Sequence, residues 1–279
     1  DFSKIRPEHF IPAIEEGIRI QLAEIDSITK NPEAPTFENT VLAYEKSGRL
    51  LARATSILSG LVGADGTEEL QKIDEETTPM LSDHQDALLL NEKLFARIKA
   101  VYDQRSSLEG EDLRLTELLY DQFVHEGALL SPQDKEELKK INSEIAVLQT
   151  KFTNQVNAGT KAAAVLVDRV EDLDGLSEEA IARAAEAATQ AGQKGKYLLE
   201  QANTTRPGYI AELNNRDLRR RVLEASLNRC SGSDSTGTHA TITRIAELRA
   251  TKAKLLGFSS FSAWALSDQM AQRPEAVLR

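Results

Sequence analysis

Apolar residues recur at helical spacing along most of the chain, and this pattern predicts a mostly α-helical protein. A first helix is predicted over 10–28, where one face is apolar. Residues 37–62 carry a stripe at alternating steps of four and three, which predicts a single helix of about seven turns. Thr36 is the predicted N-cap of this helix, because the two prolines within 31–35 cannot continue a helix before it.

The same spacing predicts further helices downstream. They are placed at 67–105, 111–126, 132–156, 217–228, 241–256 and 258–271. Pro79 marks a restart or kink in the first of these, and Ser131 caps the third, with Pro132 at its first helical position. Gly257 is a predicted left-handed C-cap, and Pro274 is predicted to begin one more helix.

One region departs from the helical pattern. Residues 163–167 and 196–201 are short and bounded by turn-type residues, so they predict two strands. Ser177 is the predicted cap of a helix between them. Because two isolated strands need a helical surface for stability, we expect a small two-stranded β element near residues 163–201 with a helix inserted. The predicted fold class is therefore mostly α, a multi-helical lobe of long helices with this one β element.

The 279 residues are 41% apolar and carry a net charge of −10, which indicates a globular protein with an acidic surface. Nucleic acids and anionic membranes require a broad positive field, so neither is expected as a partner. No apolar run approaches the ~20 residues that span a bilayer. Cys230 is the single cysteine and cannot form an internal disulfide, which favours the cytoplasm and leaves the periplasm open.

Four histidines are the candidate metal ligands, and none has a second histidine one helical turn away. They are His9, His84, His125 and His239. A helical zinc site places two histidines four residues apart, whereas leucines, Leu88 and Leu129, stand four residues after His84 and His125. The motif His-Glu-x-x-His does not occur in the sequence. We therefore predict no catalytic, cofactor-binding or metal-ligating residue on this chain.

Cys230 and the loop 232–237 are the other candidates for chemistry. A catalytic cysteine needs a base close by, and His239 is near only in sequence. At the C-terminus of a helix the thiol of Cys230 is predicted to be unreactive, because the helix dipole disfavours a thiolate there. The loop lacks both the lysine of a phosphate-binding loop and Gly-x-Ser-x-Gly, so we interpret it as a flexible connector.

The densest basic segment of this acidic chain lies at 216–221. Arg216, Arg219 and Arg220 are candidates for docking a peptide carboxylate, because a guanidinium group binds a carboxylate through two parallel hydrogen bonds. The alternative is an ordinary solvated helix face, in which Asp217 and Glu224 partner the arginines. The sequence leaves both interpretations open.

A known family is indicated by several stretches that keep their order along the chain. They are residues 1–13, Asn-Pro-Glu-Ala-Pro-Thr-Phe-Glu-Asn-Thr at 31–40, Asn-Thr-Thr-Arg-Pro at 203–207 with 213–229 after it, and Ala-Trp-x-x-x-Asp-Gln-Met-Ala within 245–275. Together they resemble the N-terminal part of peptidyl-dipeptidases of the thimet-oligopeptidase family of zinc metallopeptidases. The resemblance implies an almost entirely α-helical protein with two lobes flanking a channel that admits short, unfolded peptides. It also implies one zinc ion in the full-length enzyme, held by His-Glu-x-x-His and a later glutamate, with the motif's glutamate activating the attacking water.

For this chain the resemblance implies a lobe without catalytic residues. Residues 1–160 are expected to form a long-helix region, and 161–279 a β element plus helices that continue into a catalytic domain absent from this chain. The implied activity is release of C-terminal dipeptides from short peptides, with this lobe forming a channel wall that restricts substrate size. The alternatives are a lobe of an oligopeptidase A-like endopeptidase and a stand-alone helical binding or adaptor module. Because faces that meet the missing lobe would be exposed, self-association is also expected.

Overall fold

The computed structural model describes residues 4–232 and 234–278, and most of these residues are helical, as the apolar spacing predicts. The chain forms two compact units, Asp1–Thr150 with Ile245–Arg279 and Lys151–Arg244. The division expected from the sequence, 1–160 and 161–279, stays a prediction. Within the described residues no helix is both long and apolar enough to cross a membrane.

The first unit is built from helices alone in its described part. They are α1 (Phe10–Thr29), a π-helical segment (Phe37–Leu42) that runs on as α2 (Ala43–Glu45), α3 (Arg49–Asp65), α4 (Glu68–Leu89), α5 (Glu92–Asp103), α6 (Gly110–His125), the start of α7 (Pro132–Ala162), the end of α11 (His239–Leu255), α12 (Phe261–Leu266) and α13 (Pro274–Val277). Short 3-10 turns stand at Pro7–His9 and Arg105–Ser107. Many of these helices begin at a side-chain cap that the sequence indicates. Thr36 accepts a hydrogen bond from the Asn39 N–H, and Ser131 accepts one from the Asp134 N–H at 3.2 Å.

The single helix predicted over 37–62 is wrong. The chain turns at Gly48, whose φ of 70° lies in the left-handed region that favours glycine. The Gly48 N–H donates to Glu24 Oε2 of α1 at 2.8 Å, and a Cβ on Gly48 would collide with the side chain of Gln21. Contacts with α1 therefore interrupt the helix at a residue that fits the stripe when the sequence is considered alone.

The predicted helix over 67–105 also divides, but not at its proline. Pro79 lies inside α4, and the break comes at Leu90 and Asn91. Asn91 caps α5, because its Oδ1 accepts a hydrogen bond from the Leu94 N–H at 3.0 Å. A strong capping residue thus sets the boundary.

Two apolar clusters hold the first unit together. One lies among α1, α3 and α4 and is formed by Phe10, Ile14, Leu51, Ala54, Leu58, Leu70 and Ile73. The other lies around α5 and α6, where Phe123 is fully buried and stacks on Phe95 with 6.1 Å between ring centroids. Tyr44 meets Phe123 edge-on at 5.7 Å. Each such aromatic pair contributes about 1 kcal/mol beyond the apolar area it buries.

The second unit contains the β element. Strands β1 (Val165–Val167) and β2 (Tyr197–Leu199) pair antiparallel, with Val165 opposite Leu199. Helix α8 (Glu178–Gln190) lies between them in sequence and is capped by Ser177, which accepts from the Ala180 N–H at 3.2 Å. The predicted two-stranded element with an inserted helix is confirmed. The remaining elements of the second unit are the end of α7, a 3-10 turn (Val170–Leu173), α9 (Arg206–Glu212), α10 (Arg216–Asn228) and the start of α11.

Of the C-terminal helices, α12 is shorter than the pattern predicts. Gly257 has φ +85° after α11, as expected for a left-handed C-cap. Helix α12, expected over 258–271, ends at Leu266, because the N–H and the hydroxyl of Ser267 both donate to the Trp264 carbonyl. Pro274 begins α13 as predicted. Residues 1–3 of the resemblance, Ser233 of the predicted connector and Arg279 lie outside the described residues.

Candidate functional site

Helix α10 carries the arginine-rich segment that the sequence singles out. Asn215 caps it, since its Oδ1 accepts from the N–H groups of Asp217 and Leu218, each at 3.1 Å. Leu218 and Val222 are buried in the apolar core of the second unit. Their burial turns Arg216 and Arg220 to the exposed side of the helix.

Three of the four guanidinium groups at 216–221 donate to acceptors within the second unit. Arg219 donates to the Leu213 carbonyl at 2.6 Å, and Arg220 pairs with Asp217 Oδ1 at 3.2 Å. Arg216 is exposed, and within the described residues its side chain has no hydrogen bond or ion pair. Of the three candidate docking residues, Arg216 is therefore the one open to an external carboxylate. The docking role stays a prediction.

A second polar cluster lies in the first unit, and sequence reasoning did not find it. It consists of Asp86 on α4, Glu126 after α6, Asn142 on α7, Lys252 on α11 and Trp264 on α12, and we call it the Asp86 cluster. Lys252 Nζ is 3.3 Å from Glu126 Oε2 and 4.5 Å from the centroid of the Trp264 ring. Asn142 Nδ2 donates to Asp86 Oδ1 at 2.8 Å. The five residues share one open pocket of about 430 Å³.

Trp264 is held by contacts to its ring and to its indole N–H. The imidazole of His125 stacks on one face with 4.7 Å between centroids and 16° between planes. The indole Nε1 donates to the His125 carbonyl at 3.2 Å, and the ammonium of Lys252 lies over the ring. A cation over an indole face is attracted by the ring's electrons. Trp264 thereby attaches the short helix α12 to α6 and α11.

Asp86 is the electrostatic centre of its cluster. Only 5% of the residue is exposed, and its Oδ2 has no hydrogen-bond partner among the described residues. Burial raises the pKa of Asp86 to about 6, against the lowering effects of the Asn142 hydrogen bond and the Lys252 charge. The charges of Asp83 and Glu126 act in the same direction as burial on this pKa. The carboxyl group therefore changes its charge near neutral pH, where an ordinary aspartate is fully ionised.

The sequence contains little signal for this cluster, because its five members come from five separate segments. The only local sign is that Asp86 stands where the apolar side of α4 is expected, between His84 and Leu88. All three are buried. A buried aspartate at a core-facing position implies partners on other elements, and only the fold supplies their identity.

The histidines and the cysteine are separately placed. His84 Nε2 is 2.8 Å from Gln21 Oε1, and burial lowers the pKa of His84. His9 accepts from the Arg6 N–H, and His239 is exposed at the start of α11. Cys230 has φ +61°, and its Sγ contacts the Gln155 carbonyl at 3.6 Å, so a backbone oxygen rather than a base is its contact.

Comparison with known proteins bears on the family. Residues 209–279 match the family model described as Peptidase family M3. In an alignment of 279 positions that covers 99% of the chain, it is 40% identical to the dipeptidyl carboxypeptidase of Escherichia coli (strain K12). The chain belongs to peptidase family M3. This M3 chain is also 40% identical to the dipeptidyl carboxypeptidase of Salmonella typhimurium, and 28% identical to oligopeptidase A of Haemophilus influenzae.

In these three relatives the alignment covers 99% of the M3 chain and 41% of the relative, so the chain spans about two fifths of their length. Family M3 peptidases depend on zinc. Across residues 4–232 and 234–278 of the M3 chain, no group of three or more His, Cys, Asp or Glu side chains is arranged to hold a metal ion. The residues described here therefore do not fit a zinc site.

Proposed function

We propose that this M3 chain is the N-terminal, non-catalytic lobe of a zinc-dependent peptidyl-dipeptidase that removes C-terminal dipeptides from short peptides. The carrying observation is the 40% identity over 99% of the chain to a dipeptidyl carboxypeptidase of which it covers 41%. The sequence also lacks His-Glu-x-x-His, the arrangement that holds zinc on a helix. The zinc ion, the attacking water and the bond cleavage are therefore assigned to residues outside this chain.

The role proposed for the lobe is a wall of the peptide channel that limits substrate size. A framework of long helices supports this role, since packed helices give a rigid surface without supplying catalytic groups. Peptide carboxylates are the proposed ligands of Arg216, Arg219 and Arg220, with Arg216 the most accessible of them. A reducing compartment, the cytoplasm, is proposed because the chain has a single cysteine.

The test compares the 279-residue chain with the full-length product of its gene. Zinc is measured by mass spectrometry after dialysis, and dipeptide release is measured on a tripeptide with a blocked N-terminus. We expect substoichiometric zinc and no hydrolysis for the chain alone, and one zinc with dipeptide release for the full-length enzyme. One tightly bound zinc on the chain alone, or dipeptide release by it, would contradict the assignment.

Two alternatives are distinguished by separate observations. An oligopeptidase A-like enzyme would cut a longer peptide internally and would tolerate amidation of its C-terminus. The 28% identity to oligopeptidase A against 40% to the dipeptidyl carboxypeptidase favours the peptidyl-dipeptidase. A stand-alone helical adaptor would require a reading frame that stops near residue 279, whereas a frame that continues into His-Glu-x-x-His excludes it.

Self-association of the isolated chain is also proposed, on the basis of exposed apolar side chains in the first unit. Met270 is fully exposed, and Leu278 and Leu129 are 87% and 63% exposed. Large exposed apolar side chains favour association when they lie close together. Sedimentation velocity over a hundredfold range of concentration is expected to show a dimer at the upper end, and a monomer throughout would contradict the proposal.

A further inference from the structure

The Asp86 cluster contains a buried carboxyl group that neither the proposed channel wall nor the arginine segment uses. Asp86 Oδ2 is closed to solvent and has no hydrogen-bond partner within the described part of the chain. No external ligand reaches this atom without a rearrangement, so the group acts on its neighbours and not on a bound molecule. An ionised carboxylate in such a place is stable only when a cation lies near. Lys252 is the candidate, since it lines the same pocket as Asp86 and its charge acts on Asp86.

Lys252 is shared among three groups. Its ammonium donates to Glu126 at 3.3 Å and lies 4.5 Å from the Trp264 ring centroid. It also interacts electrostatically with Asp86. When Asp86 is ionised, two carboxylates hold one ammonium in a partly buried place, where charges interact more strongly than in water. When Asp86 takes a proton from solvent, Glu126 is the one carboxylate of the cluster that still attracts the ammonium of Lys252. The attraction that keeps Lys252 over the indole is then weaker.

We propose that the protonation state of Asp86 controls how firmly Lys252 is held against Trp264, and thereby how firmly α12 is attached to the rest of the first unit. Helix α12 is attached more firmly when Asp86 is ionised. The proton therefore acts through Lys252 on α12, which has no hydrogen bond to Asp86 within the described residues. Trp264 is the contact through which α12 responds, because its ring, its Nε1 and its stacking partner all lie at this junction.

Other charged groups lie around the Asp86 cluster. On α4 itself, Asp83 is exposed and its charge raises the pKa of Asp86, while His84 bonds to Gln21 of α1. From α11, Arg249 also lines the pocket, and its guanidinium lies over the Phe261 ring at 4.7 Å. From α7 the described pocket lining is uncharged, with Asn142, Ile145, Ala146 and Gln149. From α12 the pocket is lined by two aromatic residues, Phe261 and Trp264.

The response can be read from a single fluorophore, because Trp264 is the only tryptophan of the chain. Its emission and its quenching by acrylamide are recorded between pH 4.5 and 8 at constant ionic strength on the 279-residue chain. We expect a one-proton transition with a midpoint of about 6, and a larger quenching constant on the acid side. A flat titration, or a quenching constant that falls on the acid side, overturns the proposal.

Four variants assign the transition to a residue. Asp86→Asn is expected to abolish it and to keep the larger quenching constant at every pH. Asp83→Asn, one helical turn away and exposed, is the matched control and is expected to keep the transition with a slightly lower midpoint. His125→Phe preserves a flat ring against Trp264, and His84→Gln removes the other nearby imidazole; both are expected to keep the transition. Its persistence in Asp86→Asn, or its loss in His125→Phe or His84→Gln with a folded chain, overturns the assignment to Asp86.

A measurement on the unsubstituted chain removes the dependence on a folded variant. Carbon-detected NMR follows the carboxyl group of Asp86, and proton NMR follows the single indole N–H over the same pH range. The proposal requires one common midpoint for the two signals. Separate midpoints overturn it, whatever the behaviour of Asp86→Asn.

Discussion

The two charged clusters of this chain differ in how they are built. The arginine segment of α10 is dense in sequence, and Arg219 and Arg220 bind acceptors six and three residues away. The Asp86 cluster is sparse in sequence and is assembled from five segments of the first unit. Local density therefore marks an exposed helix face here, and the buried electrostatic centre arises only from tertiary packing.

The environments of the two clusters explain why their energetics differ. The side chains of Arg220 and Asp217 are 66% and 83% exposed, so water and salt screen their attraction. Those of Lys252 and Glu126 are 11% and 23% exposed, and the removal of one partner leaves a partly buried charge without its counterion. Substitutions in the Asp86 cluster should therefore change stability more than substitutions in the arginine segment.

The largest effect is expected for Lys252→Met. The substitution keeps much of the aliphatic packing but leaves Glu126 and Asp86 without the ammonium, and we expect a loss of about 3 kcal/mol in the free energy of unfolding. Urea denaturation at pH 7.5 measures it. Lys254→Met, two residues along α11 and exposed, is the matched control and should change stability by less than about 0.5 kcal/mol. Equal effects of the two substitutions would mean that the buried contacts of Lys252 contribute no more to stability than those of an exposed lysine.

The next effect is a gain in stability for Asp86→Asn that depends on pH. The folded-state pKa of Asp86 is raised from 3.8 to about 6, so the folded state binds this proton more tightly than the unfolded state. The contribution of Asp86 to the free energy of unfolding therefore falls as pH rises from about 4 to about 6. Above about pH 6 the full destabilisation from the buried carboxylate is present. We expect Asp86→Asn to be more stable by about 1 to 3 kcal/mol at pH 7.5 and nearly neutral at pH 4.

Urea denaturation at both pH values measures this difference. Asp83→Asn, one turn earlier on α4 and exposed, provides the comparison and should show little change at either pH. A loss of stability at pH 7.5 in Asp86→Asn would mean that the Lys252 charge outweighs the cost of burying the carboxylate.

The sequence predicts what depends on neighbouring residues and misses what depends on packing. Thr36, Ser131 and Ser177 are capping residues within a few residues of the N–H groups they satisfy, so the helix starts are predicted well. The break at Gly48 is missed because the contacts responsible come from Gln21 and Glu24 of α1. The Asp86 cluster is missed for the same reason, since none of its contacts is local in sequence.

A smaller effect is expected for Arg219→Ala. Arg219 donates to the Leu213 carbonyl at 2.6 Å and is half-buried, so its removal leaves a carbonyl without this donor. We expect a loss of about 1 kcal/mol in the free energy of unfolding, measured by urea denaturation. A loss as large as that of Lys252→Met would place the arginine segment among the buried clusters instead.

The smallest effect is expected for Arg220→Ala. Its partner Asp217 stands three residues away on the same exposed face of α10, and such pairs change stability by at most about 0.5 kcal/mol. Denaturation with urea at low salt and at 1 M NaCl tests this, because an exposed pair is screened at high salt whereas the Lys252 contact is shielded from it. If Arg220→Ala has no effect on stability at either salt concentration, Arg220 is free to exchange Asp217 for a peptide carboxylate at little cost. A large and salt-resistant loss would instead show that the fold needs this guanidinium group, and the predicted docking role would then rest on Arg216 and Arg219.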